Sequence, residues 1–286
     1  MPGRERELFA VLAERAGVVA AHVQQLESAL FERFELDRDP YYDALEPSLS
    51  GADERVDTYR FSYGFPAFRR DRSAVTAVVL AIARTCGDAA IIAARRALLA
   101  SERDCVEQPI VGYSHDGPGQ RRFKLYLMFR SGHDPAARAL TREVVGGSHE
   151  PRQSGELHML GLDVGDRGVT GAKLYFEHPT LELSADYTSR PLVLKRSLAI
   201  HALRAPDDAA RDPVAMDFSL RDSGHSWADL EAGLAGEQPE TIRTFRDLRA
   251  RFGLQARRLS FFRGEPRKLN LYYVLDPPGL GSTPPL

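Results

Sequence analysis

The chain has 286 residues, of which 43% are hydrophobic and 27% charged, a composition typical of a globular protein that buries a sizeable core. Its formal net charge of −2 favours neither nucleic acid nor an anionic membrane as a partner, so any anion must bind at a local site. Two cysteines are too few for a disulfide framework or a cysteine-based zinc site, and they fit a reducing cytoplasm. The N-terminus carries acids instead of the apolar stretch of a signal peptide, and no run of about 18 apolar residues predicts a membrane span.

Helical and extended patterns alternate along the chain. Apolar residues recur at three- and four-residue steps over residues 4–34 and again over residues 72–102, and this spacing predicts helices. Another helix is predicted over residues 134–144, and one more is predicted from the Ser226 cap to about Phe252. The stretch at about 179–194 is predicted as a short helix or loop.

Strands are predicted where apolar residues alternate with other residues between turn-forming sequences. An extended region begins at Tyr41-Tyr42 and leads to a turn at 51–53. The glycine-rich stretch 161–168 joins two strands and opens no helix, so it is predicted as a hairpin turn and not as a dinucleotide-binding loop. The later strands are predicted at 56–65, 107–114, 121–130, 157–164, 170–177, 196–204, 213–220, 257–262 and 268–275.

The predicted strands pair into five β-hairpins. Ten antiparallel strands in an open sheet would leave two unpaired edges, so closure into a barrel with the helices outside is expected. We therefore predict an α/β (α+β) fold built on a ten-stranded antiparallel β-barrel. The barrel forms a single domain over residues 1–276, and the proline- and glycine-rich tail at 277–286 is predicted to be disordered.

Lysine is rare in this chain, with four lysines against 34 arginines. Three of the four open predicted strands in similar local sequences, which indicates an internal repeat. Alternate residues of a strand face the same side, so each of these lysines shares its face with a tyrosine. The three faces, which would line the lumen of a closed barrel, contain Lys124, Tyr126 and Met128; Lys173, Tyr175 and Glu177; and Lys268, Asn270 and Tyr272.

This pattern indicates an anion site with aromatic rings beside it. Ammonium groups gathered in a partly desolvated lumen repel each other unless a multivalent anion binds between them, and a diphosphate fits. Arg60, in the first hairpin, joins the three lysines in this model. Tyrosine hydroxyls donate hydrogen bonds to phosphate oxygens, and tyrosine rings shield a carbocation, with each cation–π contact worth roughly 0.5–2 kcal/mol. The alternative is that these lysines lie on a solvated strand face and the tyrosines are ordinary strand residues.

At these residues the chain resembles the ABBA-type (PT-barrel) prenyltransferases, most of all the cyanobactin-type peptide prenyltransferases. The resemblance spans nearly the whole chain and rests on the order of the hairpins and on local matches. In the first hairpin, Leu45-Glu46 is followed by Arg60-Phe61 at the family's spacing. The further matches are Lys124 in the second hairpin, Tyr175 in the third and Tyr272-Tyr273 in the fifth.

The resemblance implies a transferase whose active site lies in the barrel lumen. Glu46 would be the catalytic carboxylate that positions or deprotonates the acceptor. Met216 and Phe218, which replace the family's frequent Tyr and His in the fourth hairpin, would line the prenyl pocket together with Asn270. The predicted diphosphate ligands are Arg60, Lys124, Lys173, Lys268, Tyr126, Tyr175 and Tyr272.

Three functions remain open at this point. The first is transfer of an isoprenyl group, dimethylallyl in our expectation, from an allylic diphosphate to a side chain of a ribosomally made peptide. The second is transfer to a small aromatic acceptor on the same barrel, and the third is a non-catalytic barrel that binds a small anion or peptide. The chain has no Asp-Asp-x-x-Asp cluster, so Mg²⁺ is expected on the diphosphate and not at a protein metal site. We expect a cytoplasmic monomer without nucleic-acid or membrane partners.

Overall fold

The computed structural model describes residues 2–31, 45–52, 55–65, 72–115, 121–145, 155–165, 168–188, 192–203 and 213–275. In this part of the chain the strands are β1 (Leu45–Ala52), β2 (Arg55–Gly64), β3 (Val106–His115), β4 (Arg121–Phe129), β5 (Glu156–Gly165), β6 (Gly168–Leu183), β7 (Leu192–Leu203), β8 (Ala215–Ser219), β9 (Leu254–Phe262) and β10 (Glu265–Leu275). The helices are α1 (Pro2–Arg15), α2 (Ala20–Phe31), α3 (Arg72–Arg84), α4 (Asp88–Ala100), α5 (Asp134–Val145), α6 (Leu220–Ser223), α7 (Trp227–Glu237) and α8 (Pro239–Phe252).

The strands form a closed barrel in which each strand pairs with its sequence neighbours and β1 pairs with β10. Every pairing is antiparallel. Closure leaves no strand edge to aggregate, which is the physical reason for expecting a barrel from ten hairpin strands. The predicted ten-stranded antiparallel barrel surrounded by helices is confirmed.

The outer face of the barrel is apolar and the inner face is polar and aromatic. In β4, Phe123, Leu125 and Leu127 are buried on the outer side, and Lys124 and Tyr126 alternate with them on the inner side. The outer side chains belong to one continuous core with apolar residues of the helices, such as Val78 and Phe245. Because helices cover the outside, the usual rule that a sheet turns its polar face to solvent is reversed, as the sequence pattern predicts.

Three predicted helices are each divided in two. The break between α1 and α2 contains Gly17 at φ 66°, and Gly87, between α3 and α4, has φ 101°. Such positive φ values are costly for residues other than glycine and end a right-handed helix. Between α7 and α8, Pro239 begins the second helix because it cannot donate the backbone hydrogen bond that would continue the first. The helix predicted at 134–144 is confirmed as α5.

Residues 184–188 of the segment predicted as a short helix or loop at about 179–194 form a loop, but the prediction is wrong at both ends of the segment. Instead, β6 continues to Leu183 and β7 begins at Leu192, and the two residues pair. Leu183 and Leu194 are buried, so the apolar residues of this segment extend the hairpin under the outer core. The extended residues Tyr41 and Tyr42 and the predicted tail lie outside the described residues. None of the described helices is long and apolar enough to cross a membrane.

Candidate active site

A cavity of about 70 Å³ lies inside the barrel, several times the space that one water molecule needs. Side chains from strands all around the barrel line it. The cavity brings together most of the residues predicted from the sequence. Those that line it are Arg60, Lys124, Tyr126, Lys173, Tyr175, Asn270 and Tyr272.

Two lysines share one carboxylate on the β4–β5–β6 side of the cavity. Asp163 lies opposite Lys124 across the β4–β5 pairing, and its Oδ1 is 3.5 Å from the Lys124 Nζ. Its Oδ2 is 3.2 Å from the Lys173 Nζ. Burial works to raise the pKa of Asp163, but the ammonium groups of Lys124 and Lys173 outweigh it and hold this pKa below its ordinary value. Asp163 is therefore ionised at neutral pH and keeps the two cations together.

Arg60 is a third cationic side chain that lines the cavity, beside Lys124 and Lys173. It comes from β2 and reaches across β1, where the small side chain of Ser48 faces it. Its Nη1 lies 3.4 Å from the Asn270 Oδ1, and the Asn270 amide donates to the Tyr272 hydroxyl at 3.5 Å. Asn270 is uncharged, and its two contacts orient Arg60 and Tyr272. We refer to Arg60, Lys124 and Lys173 as the cation cluster.

Tyr126 and Tyr175 meet edge to face in the lumen. Their ring centroids are 6.1 Å apart at an interplanar angle of 71°. Gly161 lies beside both rings, and a Cβ at this position would be 2.9 Å from two Tyr126 ring carbons and 3.2 Å from one of Tyr175. Burial raises the pKa of each tyrosine, so both hydroxyls stay protonated and able to donate hydrogen bonds. The missing side chain of Gly161 is what allows this aromatic pair.

The predicted catalytic carboxylate, Glu46, belongs to a second cluster next to the cavity. The Arg258 Nη2 is 3.2 Å from the Glu46 Oε2, and the Arg258 Nε is 3.7 Å from the Asp217 Oδ1. Ser62 donates to Glu46 at 3.4 Å, and Ser260 donates to Asp217 at 2.8 Å. We refer to Glu46, Arg258 and Asp217 as the carboxylate–arginine network.

Arg258 holds this network in place and also touches the aromatic part of the lumen. Its guanidinium carbon lies 4.5 Å from the centroid of the Tyr272 ring, a distance typical of a cation–π contact. Burial raises the pKa of Glu46, and Asp217 adds to this effect, whereas Arg258 opposes it. Glu46 is therefore a better proton acceptor than an exposed glutamate, and Arg258 fixes where its charge lies.

Lys268 is separated from the other predicted cations. It does not line the cavity, because its Nζ pairs with Glu265 at 3.0 Å and lies 4.5 Å from the Phe262 ring centroid. Phe262 does line the cavity, so Lys268 sits at its edge. Its predicted contact with diphosphate stays a prediction that would require it to leave Glu265.

Met216 and Phe218 do not face the lumen, which corrects the prediction that they line a prenyl pocket. Both are buried in the outer core, where Phe218 stacks on Phe261 at 5.8 Å. Their neighbours Ala215 and Asp217 take the inner positions of β8. The physical reason is that large apolar side chains bury more area under the helices than in a polar lumen. The apolar side of the lumen is formed instead by Ile110, Met159, Leu198, Ile200, Val214, Ala215 and Phe262, with Tyr126 and Tyr175.

Asp163, Arg258 and Asp217 are site residues that the sequence analysis missed. Asp163 belongs both to the predicted strand 157–164 and to the glycine-rich stretch predicted as a turn, and β5 extends through it to Gly165. Arg258 lies in the predicted strand 257–262, and alternation along β9 places it on the same face as Ser260 and Phe262, which line the cavity. That alternation is the signal that could have identified Arg258.

The described residues offer a metal ion no ligand set of their own. No group of three histidine, cysteine, aspartate or glutamate side chains in this part of the chain is placed to hold one. The carboxylates of Glu46, Asp163 and Asp217 each lie beside a cationic side chain. The prediction that Mg²⁺ would be held mainly by the diphosphate oxygens therefore stays a prediction, and no step below depends on it.

Comparisons with known proteins show where this architecture occurs. No protein-family model matches the sequence, and no curated protein is detectably similar to it. Among solved structures, PriB in a ternary complex with L-tryptophan and dimethylallyl thiolodiphosphate is similar at 17% identity and a TM-score of 0.68, covering 98% of this chain and 99% of that one. The 5-dimethylallyltryptophan synthase from Streptomyces coelicolor is similar at 16% identity and a TM-score of 0.62, covering 96% and 97%.

A third solved structure is similar over nearly its whole length. AnaPT from Neosartorya fischeri is similar at 11% identity and a TM-score of 0.62, covering 96% of this chain and 93% of that one. Structural similarity at such low sequence identity establishes the fold alone, so the activity has to be argued from the site. The cyanobactin subtype stays a prediction. The closed barrel and these full-length similarities show that the chain has the PT-barrel (ABBA) fold of the aromatic prenyltransferases.

Proposed function

We propose that this protein transfers an isoprenyl group from an allylic diphosphate to an aromatic acceptor. The observation that supports it most is that the cation cluster and three tyrosine rings line the same cavity inside a closed barrel. The structures of similar fold add support, since PriB and the S. coelicolor synthase were solved with tryptophan and a thiolodiphosphate analogue of the donor. We propose dimethylallyl diphosphate as the donor.

The diphosphate would bind to the cation cluster. Lys124 and Lys173 supply compact ammonium groups 3.5 and 3.2 Å from one carboxylate, so both already point at a position occupied by an anion. Arg60 supplies a planar group with several N–H donors. Tyrosine hydroxyls held protonated by burial can donate to the remaining phosphate oxygens. These charges would stabilise the diphosphate as it leaves.

The allyl cation would form beside the tyrosine rings. The C–O bond to the diphosphate breaks, its electron pair stays on the diphosphate, and the positive charge stays on the isoprenyl group. Tyr126, Tyr175 and Tyr272 would face this cation, each contact worth roughly 0.5–2 kcal/mol. The apolar side of the lumen, including Met159 and Ile200, would hold the methyl groups and exclude water that would otherwise capture the cation.

Glu46 would complete the transfer. The aromatic acceptor attacks the cation with a pair of ring electrons, a new C–C bond forms, and the ring loses a proton to regain aromaticity. Glu46 would accept that proton or a hydrogen bond from the acceptor, because burial makes it more basic and Arg258 fixes its position at 3.2 Å. Asp217 would hold Arg258 from the other side.

The acceptor we propose is an aromatic amino-acid side chain, either free or within a peptide. Free tryptophan is the acceptor in the complexes of similar fold named above. A ribosomally made peptide is the acceptor that the sequence resemblance implies. The two are distinguished by offering the purified protein dimethylallyl diphosphate with tryptophan, tyrosine, and linear and cyclic peptides that contain these residues, and by following diphosphate release and the mass of the product.

A matched pair of lysine variants tests the active-site assignment. Lys124→Ala should abolish donor turnover, whereas Lys195→Ala, which removes an exposed lysine of β7, should not change it. Donor binding without diphosphate release for any acceptor would favour a non-catalytic binding protein. If the wild-type protein neither binds the thiolodiphosphate analogue nor releases diphosphate from the donor, the proposed function is wrong.

A further inference from the structure

We propose that Asp163 is a built-in competitor of the diphosphate that weakens its binding and speeds its departure after the reaction. This inference rests on the proposed function and deepens it, because it concerns how the same site releases its product. Asp163 contacts both lysines of the cation cluster, with Oδ1 and Oδ2 each directed at a different ammonium group, at 3.5 and 3.2 Å. A diphosphate bound by these lysines would have to share them with Asp163 or displace it.

The position of Asp163 follows from the strand register. Lys124 pairs with Asp163 across β4–β5, and Gly161 of β5 pairs with Lys173 of β6. The residue opposite Asp163 on β6 is Gly171, so no side chain separates the carboxylate from the diagonal Lys173. The lysine side chains are 15% and 34% exposed and that of Asp163 is 26% exposed, so all three charges are only partly hydrated.

This geometry explains how two ammonium groups of the cation cluster can lie close together without destabilising the fold. Two ammonium groups brought together in a partly desolvated lumen destabilise the fold unless an anion lies between them. Asp163 supplies that anion when no ligand is bound, and its low pKa keeps it charged. The same charge repels any second anion at this place. Asp163 therefore stabilises the lysines before the donor binds and acts against the diphosphate afterwards.

Competition between Asp163 and diphosphate for the lysines would assist product release. Breaking the C–O bond leaves an additional negative charge on the departing diphosphate, so a site with Lys124, Lys173 and Arg60 alone would bind the product more tightly than the donor. Release of product limits the turnover of many enzymes. A carboxylate that returns to the lysines as the diphosphate leaves would lower this barrier.

The first test measures the Kd of inorganic diphosphate by calorimetry for the wild type, Asp163→Asn and Glu177→Gln. The asparagine keeps the shape of the aspartate and removes its charge. Glu177 lies on the same face of β6 as Lys173, but four residues or roughly 13 Å further along. It is paired with Arg196, so it controls for the change in net charge. We expect Asp163→Asn to tighten binding roughly ten- to a hundredfold, the range for one charge removed at this distance, and Glu177→Gln to change it less than about threefold.

The second test separates release from chemistry. With Asp163→Asn, turnover under excess substrate should fall more than the rate of a single turnover does, and inhibition by added diphosphate should rise. Asp163→Ser serves as a second variant that should show the same tightening. A structural role alone would lower the melting temperature without tightening diphosphate binding.

The outcomes also distinguish this inference from the proposed function. If wild type binds diphosphate and both Asp163 variants bind it equally or more weakly, the inference is wrong and the proposed function stands. If wild type and variants all fail to bind inorganic diphosphate and the donor analogue, the proposed function falls, and the inference falls with it. Tighter binding in both Asp163 variants supports the inference even where the acceptor is still to be identified.

Discussion

Gly161 offers a direct test of how the aromatic pair in the lumen is packed. Replacing it with alanine would place a Cβ 2.9 Å from two ring carbons of Tyr126 and 3.2 Å from one of Tyr175. Carbon atoms in contact prefer about 3.5–4.0 Å, so at least one ring must move. Overpacking of this kind costs about 1–3 kcal/mol.

Gly171 is the matched control for this substitution. It lies on the neighbouring strand β6 and also borders the lumen, but a Cβ there would come no closer than 3.8 Å to Asp163. Alanine in a strand interior is favoured over glycine by roughly 0.5–1 kcal/mol, because the unfolded chain loses less freedom. Gly171→Ala should therefore be neutral or slightly stabilising, and the two variants should differ by about 1–3 kcal/mol in the free energy of unfolding.

Urea denaturation monitored by circular dichroism measures this difference, with tyrosine fluorescence as a second probe. The expected result is a lower midpoint for Gly161→Ala than for Gly171→Ala, at an unchanged dependence on urea concentration. Donor binding should weaken in Gly161→Ala as well, since the displaced ring enters the cavity. If the two variants unfold at the same urea concentration, the rings of Tyr126 and Tyr175 are free to turn aside, and the proposed shielding of a cation by a fixed aromatic pair is refuted.

Three further substitutions test separate parts of the molecule. Glu46→Gln should abolish transfer while donor binding stays within about threefold of wild type, and full turnover in this variant would exclude Glu46 as the proton acceptor. Arg258→Met removes the cation that contacts both Glu46 and Asp217, so it should lose about 2–4 kcal/mol at neutral pH, less than a fully buried pair because 32% of Arg258 is exposed. Burial already raises the pKa of Glu46, and loss of Arg258 raises it further. A carboxyl group whose pKa is raised in the folded state costs stability as the pH rises through that pKa, so this variant should regain stability as the pH falls. Thermal melts that show the same loss of stability at every pH would contradict the assignment. Gly51→Ala should destabilise the seam between β1 and α8 by at least about 1–3 kcal/mol, because its Cβ would overlap the Thr241 side chain, and unchanged melting would disprove this contact.

Much of the fold could be predicted from the sequence because each hairpin carries its own local information. The alternation in β4, from Phe123 to Phe129, defines an apolar face and a polar one without reference to any other strand. The recurrence of lysine and tyrosine on such faces then places Lys124, Lys173 and the tyrosines in one lumen, as the structure bears out. Closure follows from the need to pair the outermost strands, β1 and β10.

The contacts between distant strands could not be predicted in this way. The pairing of Asp163 with Lys124 depends on the register between β4 and β5, and these strands are joined through α5 and not by a tight turn that would fix the register. The Arg258–Glu46 pair joins β9 to β1 across β10, so it depends on how the barrel closes. Local sequence patterns contain neither register. Pairing across a closed barrel is a property of the whole molecule, and the carboxylates that balance its cations are found only there.

The orientation of β8, unlike these contacts between distant strands, follows from the same rule of alternation that holds in the other strands. In β4 the large apolar residues face the helices and the polar ones face the lumen. Applied to Ala215–Ser219, the same rule places Met216 and Phe218 outside and Ala215 and Asp217 inside, as observed. The resemblance of the fourth hairpin to the family's implied the reverse orientation, because it matches sequence positions and does not include which face of the barrel is apolar.

This orientation makes opposite predictions for two neighbouring residues. Ala215→Leu adds bulk to the cavity wall beside Tyr175, so it should weaken donor binding at least about tenfold while changing the stability little. Met216→Ala leaves a hole in the outer core, where the side chain is fully buried, so it should cost about 2–5 kcal/mol of unfolding free energy and leave donor binding unchanged. Titration with the donor analogue and urea denaturation of both variants separate the two effects. The reverse pattern, with Met216→Ala altering the donor site and Ala215→Leu unfolding the protein, would place β8 in the other register and restore Met216 to the prenyl pocket.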